Sequence, residues 1–141
     1  MKEKKNPQIV TAAIIEKDGK VLIGKRKEGR HHSGKWEFPG GTLEEGETYE
    51  ECLKRELQEE LAVDAEIGEL YCIGEHTITP EWTIRLLAYR VTGISGILKT
   101  QEHDEIKWVR RQELADYEFP EADRPIVEKL ISECNADNPP L

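Results

Sequence analysis

Residues 48 to 61, TYEECLKRELQEEL, constrain this chain more than any other stretch. Thr48 and Glu51 stand at the S/T-x-x-E spacing of a capping box, which satisfies amide groups left free at a helix start. Leu53, Leu57 and Leu61 recur every four residues and form one apolar stripe. At about 100° per residue, Glu56, Glu59 and Glu60 fall within an arc of roughly 100° beside that stripe. One edge of the helix therefore packs on a core, and the adjoining edge presents three carboxylates. Such charges repel, raise one another's proton affinity and weaken the helix. A hard divalent cation, magnesium or manganese, relieves the repulsion with oxygen ligands. The plain alternative is a solvated acidic face.

The rest of the chain supplies a sheet for this helix. Residues 9–15, IVTAAII, form a β-branched run suited to a buried strand. Asp18-Gly19 makes a turn, and VLIGKR reads as the partner strand of a hairpin. A basic loop with Gly29 and Gly34 follows, then the stub WEF, broken by Pro39-Gly40-Gly41, and an aperiodic loop TLEEGE. Beyond the helix come the strands AEIGELYCIGE, TIRLLAYRV and IKWV, and a second helix from about Pro125 to Cys134 with Ile126, Val127, Leu130 and Ile131 inward. The pattern is α/β: a mixed β-sheet between helices, in one domain spanning 1–141 with a frayed tail at 135–141.

Charge narrows the function. With 29 acidic against 20 basic residues the net charge is −9, which argues against wrapping a nucleic-acid polymer. A single nucleotide is compatible if cations lie between carboxylates and phosphates. No apolar run is long enough for a membrane span, and MKEKKNP has no apolar signal core, so the expected location is cytoplasmic. Cys52, Cys72 and Cys134 have no metal-ligand spacing and are expected as reduced thiols.

Gly41, Glu47 and the run Arg55-Glu56-Leu57-Gln58-Glu59-Glu60-Leu61-Ala62-Val63 follow the spacing G-x5-E-x7-R-E-U-x-E-E-x-G-U, where U is bulky and apolar. Residues 41–63 thus resemble the Nudix box, departing where Ala62 stands in place of glycine. That glycine serves a left-handed helix end, where alanine costs on the order of 1 kcal/mol, so the disturbance falls on the helix exit rather than on the acids. With the hairpin, WEFPGG and the W-V strand before a last helix, most of the chain resembles the MutT-like subgroup.

The resemblance implies the Nudix α/β/α sandwich and metal-dependent hydrolysis of a nucleoside triphosphate to the monophosphate and pyrophosphate. Glu56, Glu59, Glu60 and the Gly40 carbonyl would hold magnesium, with manganese as a substitute, and Arg55 would orient carboxylates with Glu47 as partner. Glu102, six residues before Trp108, aligns with the proton-accepting acid of the family; Glu105, Asp104 and His103 are rivals, as are Glu59 and Glu60. Arg26, His31 and Phe38 align with substrate-side positions. Asp123 aligns with a residue that hydrogen-bonds the base, and is equally a good helix N-cap. The family's best-known member has asparagine there, so cytosine nucleotides stand level with oxidised guanine. ADP-ribose or a dinucleoside polyphosphate as substrate, or a non-catalytic nucleotide-binding regulatory module, are the alternatives. The chain is expected as a monomer or homodimer.

Overall fold

The structure, a computed structural model, describes residues 6–27, 34–101 and 103–137. Its strands are β1 (Gln8–Ile14), β2 (Glu16–Lys17), β3 (Lys20–Arg26), β4 (Trp36–Glu37), β5 (Gly40–Thr42), β6 (Asp64–Thr79), β7 (Trp82–Ser95) and β8 (His103–Arg110). Helix α1 covers Tyr49–Leu61 and α2 covers Arg124–Asp137, with 3-10 turns at Arg111–Asp116 and Glu121–Asp123. Among the described residues no helix is long and apolar enough to cross a membrane.

The strands divide into two sheets where the sequence suggested one. The first has the order β5-β1-β7-β6, with β1 parallel to β7 and its other pairs antiparallel. In the second, β3 pairs antiparallel with β2, β4 and β8. The expected hairpin between IVTAAII and VLIGKR shrinks accordingly. β1 pairs with β5 and β7, and only its extension Glu16–Lys17 turns back onto β3. Asp18 (φ 54°) and Gly19 (φ 76°) make that turn in the left-handed region, as two-residue hairpins require.

Side-chain alternation explains why both faces of these strands are apolar. Ala12 and Ile14, Val21 and Ile23, Leu86 and Ala88 pack with Ile126, Val127 and Leu130 of α2. Their neighbours Ala13, Ile15, Leu22, Leu87 and Tyr89 pack with Leu53, Leu57 and Leu61 of α1. Two helices thus enclose the sheets, giving the α/β/α sandwich. Each fully buried leucine contributes about 1.5–3 kcal/mol relative to exposure. β6 and β7 run longer than the apolar segments read from sequence, and α2 continues past Cys134 to Asp137.

Helix α1 starts and ends as local chemistry dictates. The Thr48 hydroxyl accepts from the Glu51 amide at 3.1 Å, and the Glu51 carboxylate accepts from the Thr48 amide at 2.9 Å, completing the capping box. At the far end Ala62 adopts φ 58°, ψ 37°, and its N–H reaches the Gln58 carbonyl at 3.1 Å. The helix exit therefore keeps the left-handed geometry despite the missing glycine. Three further carbonyls of the last turn are satisfied by one loop: Lys99 N–H donates to Leu61, Gln101 N–H to Glu60 and the Gln101 amide side chain to Glu59.

Candidate active site

The acidic face of α1 closes one end of a cleft of about 580 Å³. Strand β5 forms its floor there. Gly40 lies so close to β1 that a Cβ would come within 2.0 Å of the Thr11 carbonyl oxygen, and a Cβ on Gly41 would come within 2.3 Å of the Glu56 carboxyl. Only glycine permits both approaches. The cleft is bordered by Glu56 and Glu60 at this end, by Arg26, Lys27 and Glu37 along one side, and by Phe38, Trp82, Leu86 and Asp123 further on.

Arg55 organises the carboxylates. Its Nε and Nη2 grip Glu47 at 2.6 and 3.0 Å, its Nη1 donates to Glu56 at 2.8 Å and reaches Glu59 at 3.3 Å, and Nη2 also bonds the Thr42 carbonyl at 3.2 Å. This fork of donors suits arginine alone. It draws Glu47 down to about 2, with help from a backbone hydrogen bond at Glu44, and the same pairing raises Arg55 above its ordinary value. The pair anticipated from sequence, Arg55 with Glu47, is thus in contact.

The three helix acids differ in surroundings. The side chain of Glu59 is 55% exposed and that of Glu56 17%, while Glu60 is buried at 6%. Burial first, then the charge of Glu37 and the hydrogen bond and charge of Glu56, push Glu60 up to about 10; the Gly40 backbone opposes this. Its Oε1 is buried with no hydrogen-bond partner among the described residues. Next to it lie Glu37 and His103, whose Nε2 is 2.7 Å from Glu37 Oε2 and 3.7 Å from Glu60 Oε1. One oxygen of each carboxylate and a ring nitrogen lie within 4.8 Å of one another. Arg26 forms an ion pair with the other oxygen of Glu37.

Asp123 closes the short turn before α2 and is buried. Burial, reinforced by the charge of Glu37, raises it to about 8, against the lowering pull of Arg26 and a hydrogen bond from the Phe38 backbone. Phe38 itself is buried and stacks on Phe119 with ring centroids 5.3 Å apart, so it is a core aromatic as well as a cleft wall. Cys52 is a free buried thiol 3.3 Å from the Thr11 hydroxyl, raised chiefly by burial, and Cys72 is also free.

Gly40, Glu47, Arg55, Glu56, Glu59 and Glu60 therefore gather at one end, and Arg26, Phe38 and Asp123 line the remainder. His31 and Glu102 lie outside the described residues. Of the rival bases, His103 is buried and bonded to Glu37, while Asp104 and Glu105 are exposed on β8. Sequence reasoning passed over Glu37 and Trp82. For Glu37 a signal exists: alternation in Trp36-Glu37, with Trp36 in the core, turns the acid to the other face beside Gly40.

A sandwich of this kind with an arginine-braced acidic helix beneath a glycine turn defines a class of hydrolases acting on nucleotide diphosphate bonds. The chain matches the family model described as NUDIX domain over residues 5–130, and it belongs to the Nudix family as a MutT-like hydrolase. It is 36% identical over 123 residues to the CTP pyrophosphohydrolase of Escherichia coli (strain K12), covering 87% of this chain and 90% of that protein. It is 33% identical over 133 residues to the 8-oxo-dGTP diphosphatase of Haemophilus influenzae, covering 94% and 97%. The solution structure of the Escherichia coli ORF135 protein superposes with a TM-score of 0.82 at 34% identity, covering 94% of each chain.

Proposed function

We propose that this Nudix hydrolase is a nucleoside triphosphate pyrophosphohydrolase, cutting a (d)NTP to the monophosphate and pyrophosphate with magnesium, and that cytosine and oxidised guanine nucleotides are its leading substrates. One observation carries the reading: a single cleft joins the Glu56–Glu60 carboxylates to Asp123, with a volume of about 580 Å³, in the range of nucleotide-sized sites. The names of the relatives, one acting on CTP and one on 8-oxo-dGTP, support both bases.

The residues present fit a hard cation. The proposed donors are all oxygen, the Glu56 carboxyl is pressed against Gly41, and Glu56 and Glu60 border the same end of the cleft. Glu56, Glu59, Glu60 and the Gly40 carbonyl would hold magnesium, or manganese in its place, which supplies positive charge against the phosphates and Lewis acidity at the scissile bond. Arg55 fixes Glu47 and Glu56 in place, so the carboxylates need no reorganisation when substrate enters. Arg26 and Lys27 bring positive charge to the cleft. Glu102, by its place six residues before Trp108, is assigned as the proton acceptor. Asp123, held neutral near pH 7 by burial, offers one donor and one acceptor to a base edge.

A panel of unmodified, oxidised and methylated nucleoside triphosphates with magnesium, together with ADP-ribose and a dinucleoside polyphosphate, tests this. Pyrophosphate release from a cytosine or 8-oxoguanine triphosphate ahead of the others is the expected result. Exclusive turnover of ADP-ribose or the dinucleotide would overturn the triphosphate assignment.

A further inference from the structure

The Glu60 side chain has two oxygens with different surroundings, and the inner one, Oε1, is buried and lacks a hydrogen bond among the described residues. A buried carboxylate oxygen without a partner is costly and mobile in orientation. The His103 ring lies beside it, with Nε2 3.7 Å away. His103 is 4% exposed, opens strand β8, and directs Nε2 to Glu37 at 2.7 Å and toward Glu60 Oε1 at 3.7 Å. The fold makes room for this ring on purpose-built ground. Gly24 on the neighbouring strand faces it so closely that a Cβ would come within 2.7 Å of the ring. The pairing of β3 with β8 shifts register between Lys25 and Arg26, which brings Arg26 opposite His103. The segment is also fastened to α1, since Gln101 N–H bonds the Glu60 carbonyl at 3.0 Å and Thr100 Oγ1 bonds the His103 carbonyl at 3.2 Å.

We infer that His103 is a positioning residue for the hydrolysis: its Nε2, hydrogen-bonded to Glu37 and 3.7 Å from Glu60 Oε1 without a hydrogen bond to it, sets the ring against the inner oxygen and fixes the rotamer of Glu60 so that the outer oxygen faces the cleft. The imidazole touches neither substrate nor reacting atoms. It acts through Glu60, and Glu37 anchors the ring while Arg26 anchors Glu37. Gly24 belongs to the same device, because any side chain there displaces the ring. This inference rests on the proposed role of Glu60.

The test compares His103→Leu, which fills the space without a donor, with His103→Gln, whose amide nitrogen substitutes for Nε2. Leucine is expected to lower kcat at least about tenfold and to weaken Mn2+ binding by a similar factor, read by electron paramagnetic resonance of the free ion. The KM for nucleotide should stay within about twofold, and glutamine should recover most of the loss. Gly24→Ala should reproduce the leucine phenotype with His103 intact. Electron spin-echo measurements on the Mn2+-loaded parent should show no nitrogen coupling. Equal defects in the leucine and glutamine variants would reduce His103 to packing and overturn the inference. So would unchanged kcat and Mn2+ affinity in His103→Leu, and nitrogen coupling would make His103 a metal ligand instead. Glu60→Gln, run alongside, separates the failures: if it too is fully active, the reading of Glu60 is wrong; if it alone is inactive, only the positioning claim falls.

Discussion

Replacing Asp123 with asparagine should stabilise the protein, and by an amount that grows with pH. Asp123 is 7% exposed, and burial with the nearby charge of Glu37 raises its carboxyl from 3.8 to about 8. Between those values the folded state holds a proton that the unfolded chain has released. Folded molecules therefore bind more protons, and stability from this group falls as pH rises from about 4 to 8, then levels off. Each pH unit above 3.8 costs up to about 1.4 kcal/mol, so at pH 7 the penalty is at most about 4 kcal/mol. Asparagine keeps an acceptor for the Phe38 backbone, nearly the same volume, and no titration. Urea unfolding of parent and Asp123→Asn at pH 4.5, 6, 7 and 8 reads the difference directly. The variant should be close to the parent at pH 4.5 and more stable by about one to several kcal/mol at pH 8. A difference independent of pH would refute the reasoning, since the buried acid would then carry no such penalty.

Two further perturbations follow from the helix. Ala62 is held at φ 58°, where a residue with a Cβ costs about 1–2 kcal/mol, partly offset by the greater freedom of an unfolded glycine. Ala62→Gly should raise stability by about 0.5–1 kcal/mol and the melting temperature by about 2–4 °C, and calorimetry showing a lower Tm would contradict this. Arg55→Lys removes the two-pronged grip on Glu47 and the bond to Glu56. Turnover at saturating nucleotide should fall about tenfold or more while the charge is conserved; parent-like initial rates would show that the guanidinium fork is dispensable.

Much of the site was legible in sequence because it is local. The capping box, the leucine stripe and the acids of α1 are set by helical spacing, and Arg55 meets Glu47 across the short turn that the same stretch encodes. The strands were legible as apolar runs, because β1, β3 and β7 are covered on both faces. Their partnering was not. A run followed by a turn and another run suggests a hairpin, whereas β1 instead lies beside β7, far along the chain, through bonds no local pattern reports. For the same reason Glu37 escaped notice: its contacts with Arg26, His103 and the field at Glu60 arise only when β3 pairs with both β4 and β8. Ala62 teaches a subtler point, since the backbone accepts the left-handed exit and absorbs the cost locally. Asp123 was read as a cap or a base contact; its burial, a property of the packed turn, is what makes it neutral near pH 7.

The most direct test of the central claim is the initial rate of pyrophosphate release from dCTP and 8-oxo-dGTP, with magnesium in excess, by the parent and by Glu60→Gln. The substitution replaces a buried side chain whose neutral form is already favoured without metal by a neutral one of nearly the same size, so the fold and melting temperature should hold. Turnover should drop at least about 100-fold, the size expected when a charge-stabilising group is lost from a preorganised site. A variant that remains within a few fold of the parent would contradict the claim that the carboxylates of α1 carry the reaction.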